Sequence, residues 1–453
     1  MTATALHAVA EPTICAPLPV LGADVTVPLA TGGERTYAAL DYAASAPALQ
    51  RVWDDVAAYA PYYGSVHRGA GHLSQLSTDL FEKSRATVAA FLGCRPGDEL
   101  LFTRSTTDSL NLLVGALPEG CEVFVFETEH HAALLPWRSS RLTVLDAPRS
   151  HEEALRTLGR ALAARDPYGP ALVCVTGASN VTGEIWPVRE LAAAAHAHGA
   201  RIVLDAAQLA PHRPVSLAAL DVDWVAFSGH KLYAPFGSGV LAGRADWLRA
   251  AEPYLAGGGA SRTVTRAEDG GVDVAWHTGA ARHEAARPTS SAPTPSPPPA
   301  ALTEAGPEQL AAREEALLER LLTGLAALPG IRVLNLFGDG ADRVGVVSFT
   351  AEGWHSSHLA AALSAEYGIG VRDGLFCAHP LVRTLLEAER TEPGECGAPQ
   401  ETGGQALSAV RVSFGAGTPE EHVERFLGAV RELVTTGARL DYRTVDGRWV
   451  PAV

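Results

Sequence analysis

A lysine near the middle of the chain has the surroundings of a Schiff-base nucleophile. Lys231 stands in the segment Phe227–Tyr233, which follows an apolar run and contains Gly229. A lysine amine that a strand end delivers into such a turn forms a Schiff base once burial favours its neutral form. The alternative is a surface lysine on a loop.

A carboxylate about 26 residues earlier complements this lysine. Asp205 closes an apolar run and is followed by Ala206-Ala207-Gln208. An acid at the carboxyl end of a buried strand can keep a pyridine nitrogen protonated, which makes pyridoxal phosphate an electron sink. A helix N-cap is the alternative role, but the presence of both Lys231 and Asp205 argues against a non-catalytic scaffold.

A run of hydroxyl residues between Phe102 and Leu113 has the composition of a phosphate site. Ser105, Thr106 and Thr107 follow a predicted strand end and open a predicted helix. Exposed N–H groups and hydroxyls at a helix N-terminus bind phosphate well. A simple helix cap is the alternative.

These residues need a scaffold that brings several strand ends together, and short apolar runs alternating with helical patterns supply one. The predicted strands are Glu99–Thr103, Cys121–Phe126, Leu142–Asp146, Ala171–Thr176, Arg201–Asp205, Trp224–Ser228 and Gly239–Ala242. The predicted helices between them include Leu73–Phe91, Glu152–Ala164 and Val188–His198. Buried strands separated by helices indicate an α/β fold with a mostly parallel sheet covered on both faces.

From Gln309 onward the pattern changes to a smaller α+β domain. Its predicted elements are a helix at Gln309–Leu328, strands near Ile331–Asn335 and Arg343–Thr350, a helix at His358–Tyr367, a strand at Val410–Phe414 and a last helix capped by Thr418. We therefore divide the chain into an N-terminal segment (1–35), a large cofactor-binding domain (36–285), a proline-rich linker (286–305), a small C-terminal domain (306–440) and a tail (441–453).

The composition narrows the class of protein. The 453 residues carry a formal charge of −15, which disfavours nucleic acid and anionic membrane surfaces as partners. Six widely spaced cysteines without a CxxC pair argue against a disulfide framework or a zinc site. We expect neither a signal peptide nor a transmembrane helix, and therefore a cytoplasmic enzyme.

Six motifs together resemble the class V aminotransferase family, and within it the cysteine desulfurase and selenocysteine lyase branch. They occur in family order within residues 36–434: Leu40–Ala44, Val66–Gly69, Ser105–Thr107, Glu129–Ala132, Asp205–Gln208 and Ser228–Lys231. The resemblance implies a fold-type I enzyme that depends on pyridoxal 5'-phosphate, with a large domain around a mostly parallel seven-stranded sheet and a smaller α+β domain. It also implies a homodimer with the cofactor between the two domains.

The resemblance further implies a role for each matching residue. The cofactor would be bound by Lys231 (Schiff base), Asp205 (pyridine nitrogen), His130 or, less favoured, His131 (ring face), Gln208 (phenolic oxygen), Asn180, and the phosphate ligands Thr106, Thr107, Ser228 and His230. Arg411 matches the arginine that pairs with the carboxylate of an amino-acid substrate, and Arg372 is the second candidate. A salt bridge at the rim of the site is the alternative for either arginine.

Cys377 indicates which reaction the site would catalyse. The loop Gly370–Pro380 resembles the loop that carries the persulfide-forming cysteine of desulfurases, and a thiolate beside cations can attack a substrate's sulfur. The predicted function is therefore conversion of L-cysteine to L-alanine with a persulfide on Cys377, which a sulfur-acceptor protein would receive. The other cysteines are interpreted as incidental: Cys15, Cys94, Cys121, Cys174 and Cys396.

Two alternatives to this function remain open. The loop departs from the closest desulfurases at Leu375-Phe376, where they usually carry two histidines. Transamination or epimerisation of an amino acid would keep Lys231 and the cofactor but leave Cys377 as a small buried hydrophobic residue. A degenerate, non-catalytic binding protein is the second alternative.

The segment 286–299 departs most from the family pattern. It holds six prolines in fourteen residues, which excludes a helix or a central strand. The family has Gly, then Thr or Ser, then Pro-Asn here, and that Thr or Ser reaches the phosphate bound by the partner subunit. If Ala285 to Pro295 are written in high-GC codons and translated from one base before Ala286, the translation contains the family's Gly-Ser-Pro-Asn. We therefore hypothesise that the segment is out of frame. A genuine disordered insertion is the alternative.

Overall fold

The computed structural model describes residues 15–67, 69–284, 297–387 and 408–452. The predictions about Arg68, about the proline-rich segment before Pro297 and about Cys396 lie outside the described residues. The end of that segment contradicts its prediction: Pro298 and Pro299 form the first turn of a helix (Pro298–Glu304), where the missing proline N–H costs no hydrogen bond. Within these ranges the strands are β1 (Thr26–Pro28), β2 (Glu34–Thr36), β3 (Ala38–Ala39), β4 (Asp98–Thr103), β5 (Glu122–Phe126), β6 (Arg141–Leu145), β7 (Ala171–Thr176), β8 (Arg201–Asp205), β9 (Trp224–Ser228), β10 (Gly239–Arg244), β11 (Ser261–Arg266), β12 (Val272–Trp276), β13 (Ile331–Val333), β14 (Val346–Ala351), β15 (Ile369–Gly370), β16 (Arg372–Gly374), β17 (Ala409–Ser413), β18 (Tyr442–Val445) and β19 (Arg448–Pro451).

The helices alternate with the strands through most of the chain. They are α1 (Gln50–Tyr59), α2 (His72–Phe91), α3 (Thr106–Gly115), α4 (His131–Leu134), α5 (His151–Ala163), α6 (Val188–Ala197), α7 (Leu217–Leu220), α8 (Asp246–Ala250), α9 (Ala280–His283), α10 (Pro298–Glu304), α11 (Pro307–Ala326), α12 (Ser356–Tyr367), α13 (His379–Glu387) and α14 (Glu420–Thr436). Among the described residues, none of these helices combines the length and the apolar character that crossing a membrane requires.

The main sheet has seven strands in the order β4-β10-β9-β8-β7-β5-β6. Strand β10 runs antiparallel to both of its neighbours, and all other pairs are parallel. The predicted mostly parallel seven-stranded sheet is therefore confirmed, with each strand within two residues of its predicted bounds at either end. The inner strands are mostly apolar because both of their faces are covered: in β8, Leu204 packs into one core cluster and Val203 into the cluster on the opposite face.

A second, antiparallel sheet of four strands has the order β13-β14-β17-β16. Its core combines side chains from β14 and β17 with those of α11, α12 and α14, such as Leu321, Leu363 and Phe426. The N-terminal strand β3 pairs in parallel with β15, and Ala38 and Ile369 of this pair belong to the same core. This arrangement matters for the site because it brings β16 and β17 towards the carboxyl ends of the main-sheet strands.

One predicted helix start is wrong. Thr418 does not cap α14, whose N-cap is Pro419 in an extended conformation without a side-chain hydrogen bond. The Thr418 hydroxyl instead accepts a hydrogen bond from the backbone N–H of Gly415 at 3.1 Å. The preceding turn needed an acceptor for this buried N–H, and a tertiary requirement of that kind is invisible to a local capping rule.

Candidate active site

All twelve predicted site residues line one cavity of about 190 Å³. They are Thr106, Thr107, His130, Asn180, Asp205, Gln208, Ser228, His230, Lys231, Arg372, Cys377 and Arg411. The cavity lies where the carboxyl ends of the parallel strands meet β16 and β17 of the second sheet. Open α/β sheets bind their ligands at this edge, because loops from several strands converge there.

The strand ends explain why residues so far apart in sequence converge. Asp205 is the last residue of β8, and Ser228 is the last residue of the neighbouring parallel strand β9. Asp205 also pairs in register with Thr176 at the end of β7. Parallel register therefore places these three side-chain positions at the same edge of the sheet.

Hydroxyls and a helix N-terminus form a candidate phosphate cradle. Helix α3 begins at Thr106, and its N-cap Ser105 accepts a hydrogen bond from the Asp108 N–H at 3.2 Å. The Ser228 hydroxyl accepts from the Thr106 N–H at 2.8 Å and lies 2.7 Å from the Thr106 hydroxyl. Free N–H groups and hydroxyls at the positive end of a helix dipole favour a phosphate dianion.

Lys231 and Asp205 modify each other's protonation. Burial lowers the pKa of Lys231 to about 8, and the charge of Asp205 opposes this shift. Burial raises the pKa of Asp205, while the backbone N–H of Ala207, which donates to Asp205 at 2.9 Å, and the charge of Lys231 lower it. The amine is therefore neutral in a substantial fraction of molecules just above neutral pH, as a nucleophile must be.

His130 is held as a neutral imidazole. Burial, together with the nearby cations of Lys231, Arg411 and Arg372, lowers the pKa of His130 to about 3. Its Nδ1 accepts a hydrogen bond from the Ala132 N–H at 3.0 Å, which assigns the ring proton to Nε2. A neutral ring in a fixed orientation suits stacking on an aromatic cofactor.

His131, the alternative stacking residue, has different contacts. Its ring packs against His379 with the centroids 4.5 Å apart, and it is not among the cavity-lining residues. Its backbone N–H donates to the Cys377 carbonyl at 2.8 Å. The geometry therefore favours His130 over His131 at the cavity.

Two arginines face the cavity from adjacent strands. Arg372 on β16 lies directly opposite Arg411 on β17 in the antiparallel register. Arg411 is almost fully buried and donates to the Asp41 carboxylate at 2.7 Å and to the Asn180 carbonyl at 3.0 Å. Its Nε is buried and has no hydrogen-bond partner among the described residues, and the guanidinium keeps N–H donors beyond the two in use.

Cys377 lies in a strained turn between β16 and α13. Phe376 and Cys377 both adopt positive φ angles, 51° and 55°, which place two consecutive non-glycine residues in the left-handed region. This conformation costs roughly 1–2 kcal/mol per residue. The Asn180 amide donates to the Phe376 carbonyl at 2.8 Å, and the Arg411 guanidinium lies 5.2 Å from the centre of the Phe376 ring.

The other described cysteines differ from Cys377. None of them lines the cavity in the part of the chain that the structure describes. Burial raises the pKa of Cys94 and of Cys121 to about 11, and it raises that of the fully buried Cys174 well above its ordinary value. These thiols are protonated at neutral pH and are poor nucleophiles.

Two acidic residues at the site had no role predicted from the sequence. Asp41 belongs to a recognised motif, but only the folded chain brings it to Arg411, 370 positions away. Glu129 is fully buried; its Oε1 accepts from the Thr176 N–H at 3.0 Å, and its Oε2 has no partner in the described part of the chain. Burial and the nearby charge of Asp205 raise the pKa of Glu129 well above its ordinary value.

This residue set fits pyridoxal phosphate. The α3 N-terminus with Ser228 suits the phosphate, Asp205 suits a protonated ring nitrogen, and Lys231 suits an aldehyde. The Gln208 amide, which donates to the Ala43 carbonyl at 2.8 Å, lies at the same cavity. Each polar group of the cofactor therefore has a chemically complementary group in this one cavity.

Comparisons with known proteins agree with this fold and site. The family model "Aminotransferase class-V" matches residues 38–426. A cysteine desulfurase from Haloferax volcanii is 34% identical over 82% of this chain and 88% of its own length. The solved structure of a cysteine desulfurase from Thermococcus onnurineus superposes with a TM-score of 0.75 at 30% identity, covering 88% of this chain and 94% of the other. For a cysteine desulfurase from Escherichia coli the TM-score is 0.71 at 28% identity, with 87% and 94% covered.

The chain therefore belongs to the class V aminotransferase family, whose members are pyridoxal-phosphate enzymes, and the matches support its cysteine desulfurase branch. The predicted family and the fold-type I architecture are confirmed. Two mycobacterial relatives named as probable cysteine desulfurases, from Mycolicibacterium paratuberculosis and Mycobacterium leprae, are longer: this chain, at 32% and 31% identity, spans 53% and 59% of their length.

Proposed function

We propose that the protein is a pyridoxal-phosphate-dependent cysteine desulfurase, which converts L-cysteine to L-alanine and takes the sulfur on Cys377. The observation that carries this proposal is that Cys377 lines the same cavity as Lys231 and Arg411. An aminotransferase or epimerase needs the lysine and a carboxylate-binding arginine but has no use for a thiol at that position.

Different cavity residues would bind the cofactor and move the substrate's α-proton. When bound, pyridoxal phosphate would withdraw electrons from the bonds at the substrate's α-carbon. Thr106 and Ser228 would hold its phosphate, and Asp205 would keep its ring nitrogen protonated. Lys231 would accept the proton from the substrate's α-carbon and return a proton later, which its lowered pKa favours.

The arginines and Cys377 would act on the substrate itself. Arg411, which lines the cavity and keeps N–H donors beyond the two in use, would bind the α-carboxylate and fix the orientation of the amino acid. The Cys377 sulfur would then bond to the substrate sulfur as the carbon–sulfur bond breaks, and the electron pair of that bond would remain with the carbon skeleton. This skeleton would take up a proton and leave as alanine, while a second thiol, on an acceptor protein or a reductant, would remove the persulfide sulfur.

The deciding experiment is incubation of the purified full chain, loaded with pyridoxal phosphate, with L-cysteine and a thiol reductant. We expect alanine and sulfide in equal amounts. Pyruvate derivatives with an aminated cofactor would indicate transamination, and D-cysteine would indicate epimerisation. Either outcome, or no turnover of L-cysteine, contradicts the proposal.

A homodimer is also proposed. Tyr63 and Phe236 are more than half exposed and border an apolar cavity of about 890 Å³ beside the turn that carries Lys231. Large apolar patches on a protein surface commonly mark interaction sites. Light scattering of the full chain should give twice the mass of one chain, and Phe236→Asp should lower it; a monomeric mass for the unsubstituted chain contradicts the dimer.

The rate of cofactor uptake should depend on pH with a midpoint near 8. Only the neutral amine of Lys231 attacks an aldehyde, and burial lowers the pKa of this amine from 10.5 to about 8. The visible absorption that develops after pyridoxal phosphate is mixed with cofactor-free protein should therefore appear faster as the pH rises through 8. In Asp205→Asn, the loss of the charge that raises the Lys231 pKa should move the midpoint to lower pH. A midpoint near 10.5, or one that Asp205→Asn moves upward, contradicts this account.

A further inference from the structure

The turn that carries Cys377 is held from outside at two consecutive carbonyls. The Asn180 Nδ2 donates to the Phe376 carbonyl and the His131 N–H donates to the Cys377 carbonyl, both at 2.8 Å. Among the described residues, the one further backbone hydrogen bond within the turn runs from the Ala378 N–H to the Leu375 carbonyl at 2.9 Å. Each holding group thus comes from a different part of the main-sheet edge.

The turn needs such support because its backbone conformation is unfavourable. Phe376 and Cys377 are both in the left-handed region, which residues with a Cβ atom rarely occupy. Strained conformations of this kind persist only where the surrounding structure enforces them, and they cluster at functional sites. The direction of the Cys377 side chain follows from its φ angle, so relaxation of the turn would reorient the thiol.

Both holding groups are themselves fixed by residues of the cavity. The Asn180 carbonyl accepts from Arg411 at 3.0 Å, and the Asn180 side chain is buried. His131 is the first residue of α4, whose N-cap His130 accepts from Ala132 at 3.0 Å. The same cap therefore orients the His130 ring and leaves the His131 N–H available for the turn.

We propose that Asn180 and His131 are positioning residues that hold Cys377 in its left-handed turn and so keep its thiol in the cavity. Asn180 acts through its side-chain amide, in addition to its predicted contact with cofactor or substrate. His131 acts through its backbone N–H, and its ring is dispensable for this role. The kinetic part of this proposal rests on the proposed desulfurase function; the conformational part does not.

A matched pair of substitutions isolates the His131 N–H. His131→Pro removes this donor at the first position of a helix, where proline is tolerated, and the extended His130 before it (φ −58°, ψ 148°) is compatible with a following proline. His131→Ala removes the ring and keeps the N–H. Amide hydrogen exchange of the peptide covering the Leu375–Ala378 turn, measured on the cofactor-loaded full chain, should be about tenfold faster in His131→Pro and unchanged in His131→Ala.

The kinetic consequence should follow the same pattern. His131→Pro should lower kcat for sulfide release from L-cysteine by about tenfold and leave KM within about twofold, because substrate binding is retained while the thiol is misplaced. His131→Ala should leave both constants close to those of the unsubstituted enzyme. Unchanged exchange of the turn in His131→Pro overturns the proposal.

Phe376 supplies a second, independent test. Phe376→Gly and Phe376→Ala both remove the aromatic ring, but only glycine relieves the left-handed strain. In the His131→Pro background, Phe376→Gly should therefore restore slow exchange and much of kcat, and Phe376→Ala should not. Equal effects of glycine and alanine contradict the role of strain.

Two measurements keep the outcomes separate. Amide hydrogen exchange of the buried strand β8 reports whether each variant is folded. If His131→Pro is not folded, exchange of the Leu375–Ala378 turn is measured in Asn180→Ala instead. The same acceleration of exchange is expected there. If the unsubstituted protein releases no sulfide, the desulfurase function fails, but the exchange results still decide whether the turn is held as proposed.

Discussion

Lys231→Ala is expected to abolish turnover of L-cysteine and the covalent attachment of pyridoxal phosphate. The variant lacks the amine that is proposed to bond to the cofactor and to move the α-proton. Loss of general acid–base catalysis alone costs about 10²–10⁴-fold in rate. Borohydride reduction of the loaded protein followed by peptide mapping should find the label on Lys231 in the unsubstituted chain and nowhere in the variant.

The sequence offers an unusually clean control for this experiment. The chain contains only two lysines, and the other, Lys83, is exposed on α2 outside the cavity. Lys83→Ala should leave labelling and turnover unchanged. Lys231→Arg should be as inactive as Lys231→Ala, because a guanidinium stays protonated and cannot attack an aldehyde. Label on Lys83 in the unsubstituted protein contradicts the assignment of Lys231.

Cys377→Ala is expected to stop sulfide release from L-cysteine while the cofactor remains attached to Lys231. Loss of a catalytic nucleophile commonly costs about 10³-fold or more in kcat. The expected loss is specific because Cys377 lies at the cavity, where Lys231 and Arg411 provide positive charge near the sulfur. Sulfide and alanine are measured together, and the borohydride label on Lys231 serves as the check of the intact site.

Cys94→Ala is the matched control for this variant. Cys94 is partly exposed like Cys377, but it lies away from the cavity, and burial raises its pKa to about 11. Its replacement should leave sulfide release unchanged. Undiminished sulfide release by Cys377→Ala would mean that sulfur leaves without this cysteine, and it would favour a lyase without a persulfide.

The sequence alone determined the scaffold of this protein and the residue types of its site. The inner strands of the main sheet are mostly apolar runs, a pattern that burial on both faces imposes and that can therefore be read directly. Asp205 and Ser228 were predictable because each ends such a run, and the carboxyl ends of parallel strands meet at one edge. The division into domains and the roles of the individual site residues remain predictions.

Only the tertiary structure decided how these residues are held. The contacts of Asp41 with Arg411 and of Asn180 with Phe376 join positions 370 and 196 residues apart, and no local pattern encodes such pairs. The left-handed turn at Phe376 and Cys377 could not be predicted from the sequence either. Both residue types disfavour this conformation, and hydrogen bonds from outside the turn hold it. For the same reason the Thr418 cap was mispredicted: its hydroxyl serves Gly415 in the folded chain. Local propensity is a property of neighbouring residues, whereas the precision of this site comes from contacts that form only when distant segments have packed.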